Sequence, residues 1–313
     1  MEHGKLDLQG CALSSILLAL FLLPTPAHAQ AWTQPKHHGY FKLTYGQSAA
    51  AEQYTTGGDL QPYARNVEGD AFLDRSYYLY AEFGLTDQAT LVALLPYKQL
   101  TVRDGTRAHT TRAPGSAQLG LRVDLKPSYK ARGTPHAVAA QFLLTLPTGY
   151  ARNRTPAAGP GQVDVQGTLH YGASLWPLPA YTQVGLGLRL RSGLYALSHA
   201  VDCDPHLGVD CLPDQQPVYD EEWLFSGEIG ASAGRWALVQ ILAFGVWSNQ
   251  APVLDFDPAN PIPTRQRYLK AGAGLTLYPV PAVGLSVQYF TTPAGRNTVR
   301  SSDWFWGLEY KLR

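Results

Sequence analysis

The sequence predicts an all-β protein, a single 12-stranded antiparallel transmembrane β-barrel of outer-membrane type. Three observations predict it. Segments of about eight to twelve residues alternate apolar with polar or small side chains and are bounded by turn residues. The connections between them alternate long and short. The apolar side of the strands carries Trp and Tyr near strand ends, as a lipid interface requires.

Composition narrows the field first. Of 313 residues 16% are charged, with 45% hydrophobic, 30 Gly and 18 Tyr, whereas soluble domains average roughly 25% charged. The apolar and aromatic content excludes intrinsic disorder. A mean hydropathy of -0.16, with no run of about 18 apolar residues beyond the N-terminus, excludes a helical transporter. A formal charge of +1 offers no basic face, so no nucleic-acid partner is expected.

Residues 1–29 read as a cleaved secretory signal peptide. Lys5 precedes the apolar stretch Ala12–Leu23, then Pro24 and Pro26, then the small-residue site Ala27-His28-Ala29. The apolar stretch is too short to anchor across about 30 Å of hydrocarbon. Leu8-Gln9-Gly10-Cys11 loosely resembles a lipoprotein box but precedes the apolar stretch, so lipidation is not expected. Cleavage before Gln30 leaves 24 basic and 22 acidic side chains, and two cysteines, Cys203 and Cys211. An even pair in an exported chain reads as a disulfide pinning a short loop. A metal or redox pair is the alternative, against which stand the lack of CxxC spacing and the single intervening His206.

Residues 30–313 form the barrel domain, with strands at about 39–47, 72–83, 89–97, 117–126, 136–147, 162–175, 181–192, 222–233, 235–248, 266–278, 283–292 and 302–312. Ser76–Phe83 and Gln118–Leu125 alternate cleanly, as does Gln162–Tyr171. Arg267–Tyr278 places Leu269, Ala271, Ala273, Leu275 and Leu277 on one face. Residues 89–97 and 235–248 are apolar on both faces, which leaves their registers open. Short turns fall at Gly84–Asp87, Trp176–Pro179, Gly234 and Pro279–Pro281, and long connections at 98–116, 149–161, 193–221, 249–265 and 292–301. An even strand count with long loops at one end is the outer-membrane pattern, with both termini periplasmic. A soluble sandwich or lipocalin pair is the rival. The outward aromatics Tyr77, Trp223, Tyr289, Trp304, Trp306 and Tyr310 argue against it.

Four stretches resemble the outer-membrane barrels named after the meta-pathway of phenol degradation, a set of outer-membrane transporters. They are Gly84-Leu85-Thr86-Asp87 with Leu91 and Pro96-Tyr97, then Gly115–Leu125, Leu146–Gly149, and Gly159–Asp164. The resemblance implies passage of small, often hydrophobic molecules. The chain departs from the usual outer-membrane ending by carrying Arg313 after Tyr310 and Leu312.

Alternation assigns a lumenal set. Its cations are Lys42, Arg122, Arg189, Arg191, Lys270 and Lys311, and its anions Glu82, Asp124, Asp164, Glu222, Glu228 and Glu309, with His170 beside them. Charges on an inner wall need water or partners, and matched signs favour cross-lumen ion pairs over strong ion selectivity. Tyr78, Tyr80, Tyr268 and Phe290 line the same face, and aromatics beside fixed polar groups suit a small organic solute. No catalytic residues are expected, because the chain lacks G-x-S-x-G and H-E-x-x-H and His170 lies about 13 Å along the strand from Ser174. No cofactor or metal is expected either; Asp255, Asp257 and Asn260 form an oxygen-rich loop cluster without calcium-loop spacing.

The expected function is passive or facilitated passage of a small, hydrophobic or aromatic solute through the outer membrane of a Gram-negative-type bacterium. The partners are outer-membrane lipid and lipopolysaccharide, the insertion machinery and the solute. The rival is a non-conducting structural or surface-binding barrel acting through its long extracellular loops. Gly193–Glu221, pinned by Cys203 and Cys211, is the expected constriction.

Overall fold

A computed structural model describes residues 31–64, 66–105, 107–126, 136–195, 197–202, 217–252 and 263–313. Among the described residues all regular structure is strand. The strands are β1 (Gly39–Tyr54), β2 (Leu60–Pro62), β3 (Phe72–Thr86), β4 (Ala89–Asp104), β5 (Arg107–Pro114), β6 (Ala117–Asp124) and β7 (His136–Leu146). They continue as β8 (Asp164–Ser174), β9 (Ala180–Arg191), β10 (Glu222–Ala233), β11 (Ala237–Ser248), β12 (Arg267–Val280), β13 (Val283–Arg296) and β14 (Thr298–Leu312). Twelve build the wall. The short strands β2 and β5 extend the hairpins of β1 and β4. Wall strands pair antiparallel with their neighbours in sequence, and β14 returns to β1 in register from Gly39↔Leu312. Closure pairs the strands all round, so the backbone needs no water at membrane depth.

Alternation becomes an inside and an outside. Leu169 and Leu186, cross-strand partners on β8 and β9, face outward and are 60% and 59% exposed. Tyr77, Trp223, Trp304, Trp306 and Tyr310 face outward too. Tyr45 and Trp306 stack, as do Trp304 and Trp306, which makes part of the girdle one continuous slab. Eleven residues, as in β7 and β8, reach about 37 Å along the strand and about 26 Å once tilted by about 45°. That matches a hydrocarbon core. A charge here has a defined consequence: Leu169→Arg should cost roughly 2–4 kcal/mol of stability in lipid vesicles, read by urea titration. A cost under about 0.5 kcal/mol is what a water-facing surface gives, and it would contradict a lipid-facing belt.

The twelve predicted strands are all in the wall, and two expected loops are strand. Within 98–116, the end of β4 to Asp104 pairs with β5 (Arg107–Pro114), and Gly105 after β4 has φ of 51°. Residues 292–301 continue β13 and β14 with only Asn297 between them, at φ of 51°, a conformation Asn tolerates better than most residues. Both stretches stand at the long-loop end, where polar residues on both faces erase the apolar contrast that marks a strand. Backbone pairing holds them regardless. The ambiguous registers resolve: β4 turns Thr90 and Val92 inward and Leu91 and Leu95 outward, and β11 turns Leu238 and Val246 inward and Val239 and Ile241 outward. The residues 1–30, Cys203 and Cys211, and Asp255, Asp257 and Asn260 lie outside the described residues.

Both ends of the bore are built over. At the long-loop end, the segment between β7 and β8 packs down, burying Tyr150, Ala157 and Gln162. Tyr150 Oη bridges Ser116 Oγ at 2.8 Å and the amide of Gly161 at 2.7 Å, and burial pushes its phenol above the usual range. The β9–β10 segment meets it through Ser198 Oγ on the Gly161 carbonyl at 2.6 Å and Asn153 Nδ2 on the Val201 carbonyl at 2.8 Å. At the short-turn end, the residues before β1 fold back into the barrel, burying Ala31, Thr33 and Gln34.

Candidate functional site: the lumen

The inner wall is organised as ion pairs along its surface. Lys42 Nζ lies 3.2 Å from Glu309, its register partner across β1 and β14. Arg122 Nη1 lies 2.8 Å from Glu82 Oε1, reaching over β4 from β6 to β3. Arg189 and Arg191 converge on Glu222 at 3.0 and 3.2 Å, and Arg191 also approaches Asp164 at 3.6 Å. Lys270 pairs with Asp303. The partners sit on adjacent strands or one strand apart, so the expectation of pairs spanning the lumen is corrected. Side chains from neighbouring strands are within reach of each other at the wall, while the bore is too wide for most to bridge.

The remaining predicted residues take other places. Glu228 accepts hydrogen bonds from Tyr181 Oη, Gln183 Nε2 at 2.7 Å and Gln240 Nε2 at 2.6 Å. Asp124 accepts from the Lys126 amide at 3.0 Å, at the turn after β6. Tyr80 donates to Glu82 at 2.5 Å, and Tyr78 accepts from Lys98 Nζ at 2.9 Å. Lys311 stands over the Tyr278 ring. Phe290 packs edge-on against Phe244 and Phe305. Asp74 and Lys98, paired at 2.8 Å, and Asp303 belong to this wall network but were not in the predicted set. Of the first pair, Lys98 stands where strand was taken for loop, and Asp74 lies within the predicted strand 72–83.

Midway along the bore is a cavity of about 480 Å³, a volume suited to a small organic molecule. Its apolar side comes from Val92 and Leu94 on β4, Leu143 on β7, Leu224 on β10, and Phe244 and Val246 on β11. Its polar side comes from Gln118, Gln141, Gln166, Thr168, His170 and Arg189, with Tyr80 and Tyr268. Of the predicted residues the cavity therefore gathers Tyr80, His170, Arg189 and Tyr268. Sequence reasoning missed the apolar side, although its signal was present: β4 and β11 are the strands apolar on both faces. Among the described residues no partner reaches the buried Nε2 of His170. A buried polar atom without a partner is costly, and here it borders the cavity.

The segment before β1 closes one end. The Ala31 amide donates to Gln183 Oε1 at 3.2 Å, and the Trp32 indole stands edge-on to Tyr181. Arg122 Nη1 donates to the Trp32 carbonyl at 3.1 Å. The Gln34 amide donates to Thr90 Oγ1 at 2.7 Å, and Gln34 Nε2 donates to Glu82 Oε2 at 2.7 Å. The contacts run from β3 and β4 to β9, four to five strands away round a ring of twelve, so the segment crosses the bore along a chord.

No family model matches the chain. No curated protein matches it. Among solved structures, an outer membrane channel from Pseudomonas putida F1 is similar over 92% of this chain and 100% of that chain, with a TM-score of 0.66 and 14% identity. The KdgM porin covers 87% of this chain and 99% of its own at a TM-score of 0.47 and 6% identity. The CymD monoaromatic hydrocarbon channel covers 89% of each at 0.40 and 9%. At 14% identity the first of these likenesses speaks to architecture alone, and the architecture of this chain is a closed 12-stranded antiparallel β-barrel of outer-membrane type.

Proposed function

We propose that the protein is an outer-membrane channel for passive or facilitated passage of a small, hydrophobic or aromatic solute. The cavity carries this reading. It sets an aliphatic and aromatic side against hydrogen-bonding amides, one guanidinium and the open Nε2 of His170, the lining that binds a small amphipathic molecule without trapping it. The likeness to an outer membrane channel and the resemblance at Gly84–Tyr97, Gly115–Leu125 and Gly159–Asp164 support the same class. In this reading residues 1–29 direct export and are removed, insertion machinery places the barrel among outer-membrane lipid and lipopolysaccharide, and Cys203 and Cys211 close a loop disulfide. The long loops face outward from the cell, and the short turns and both termini face the periplasm. His170 serves as a hydrogen-bonding group for the solute, with no catalytic step assigned to it.

The test is a small aromatic alcohol added to a planar bilayer that holds the folded protein and carries ion current. Brief interruptions whose frequency rises with concentration are expected, and Leu143→Arg, which drives a charge into the apolar side, should abolish them. Current indifferent to such solutes in the unsubstituted chain would remove the solute class.

A further inference from the structure

We propose that residues 31–38 are a built-in gate, an arm (Ala31–Gln34) on a fixed hinge (Pro35–His38) that closes the periplasmic end of the lumen and swings out to admit passage. The proposal rests on the channel reading. The hinge is pinned to the wall: the His37 amide donates to the Gly84 carbonyl at 2.9 Å, and the Gly84 amide donates to the His38 carbonyl at 2.9 Å. A Cβ at Gly84 would lie 1.9 Å from the Pro35 carbonyl oxygen, so only glycine lets the hinge lie this close. Beyond it the chain leaves the wall and crosses the bore.

The arm is seated in a fitted notch. A Cβ on Gly172 would fall 2.4 Å from the Trp32 indole, and that glycine faces the lumen on β8. Yet the wall does not need the arm. With the arm gone, Arg122 keeps Glu82 at 2.8 Å, Gln141 at 2.9 Å and Tyr80 at 3.3 Å. Glu82 keeps Tyr80, and Gln183 keeps Glu228. Departure thus leaves no charge buried without a partner, the condition that makes a permanent brace expensive to remove. Thr90 Oγ1, Gln183 Oε1, Glu82 Oε2 and the Asp87 carbonyl each lose one donor and Arg122 loses the Trp32 carbonyl, and lumenal water replaces these partners while the ion pair stays intact. An arm held by hydrogen bonds and one aromatic contact, over a wall complete without it, has two accessible states.

The experiment compares single-channel current from folded residues 30–313 with three variants, each first shown folded by circular dichroism and protease resistance. The chain of residues 35–313 removes the arm and keeps the hinge. Gly172→Ala leaves the arm intact and fills its notch. Gln34→Cys with Thr90→Cys, in a Cys203→Ser, Cys211→Ser background, joins the arm by a disulfide to the wall residue whose hydroxyl its backbone amide meets at 2.7 Å, with closure of the bond first checked by thiol titration. The truncated and Gly172→Ala chains should show open probability at least about fivefold above the parent, the shift of one net hydrogen bond. The locked chain should be closed when oxidised and return to parent behaviour on reduction. Equal current from parent, truncated and locked chains would overturn the gate and leave the channel standing. Silence from every folded chain, the truncated one included, would overturn both.

Discussion

Replacing Arg122 with Met should destabilise the folded barrel by about 3–5 kcal/mol, the cost of stripping one partner from a buried ion pair. Arg122 is 1% exposed and Glu82 6% exposed, and their 2.8 Å contact bridges β3 and β6. Without the guanidinium, Glu82 retains only neutral donors, Tyr80 Oη and Gln34 Nε2. Glu82→Gln in the same chain should therefore recover most of the loss, because two neutral groups need no counter-charge. Urea unfolding of the single and double variants in lipid vesicles measures the coupling directly. A loss below about 1 kcal/mol in Arg122→Met, or no recovery in the double variant, would mean that water reaches Glu82 and that the pair does not brace the wall.

The second large effect concerns selectivity. Arg189→Gln with Arg191→Gln exposes the lumen to the charge of Glu222, which is fully buried beneath the two guanidinium groups. A bare carboxylate about 8 Å from a passing ion at an effective dielectric constant near 20 is worth about 2 kcal/mol, enough to favour cations over anions by about tenfold or more. Reversal potentials across a salt gradient should shift accordingly, and adding Glu222→Gln should return them toward the parent. A fall in thermal stability with unchanged reversal potential would confine these residues to a bracing role.

These residues show how much was legible beforehand. Lys42, Glu82, Arg122, Asp164, Arg189, Arg191, Lys270 and Glu309 were assigned inward by the two-residue period alone, and all of them turn to the inner wall and pair there. Period two fixes which face a residue occupies. It says nothing about which strand lies across from it, so the pairing of Glu82 with Arg122 over an intervening β4 was out of reach. The apolar half of the cavity was hidden for a related reason: where both faces of β4 and β11 are apolar, alternation carries no contrast and the inner residues Val92, Leu94, Phe244 and Val246 look like membrane belt. The arm at Ala31–Gln34 left no periodic signal at all. Its contacts depend on a closed barrel bringing Thr90, Gly172 and Gln183 to face one bore, and only the glycines at positions 84 and 172 hint at something packed close against the wall.

The chain of residues 35–313, folded and inserted in a planar bilayer, gives the most direct test of a conducting lumen, since its bore has no arm across it. Discrete, reproducible openings that small aromatic solutes interrupt are the predicted result. A chain shown to be folded that passes no current would contradict a channel and place the protein's work on its long loops.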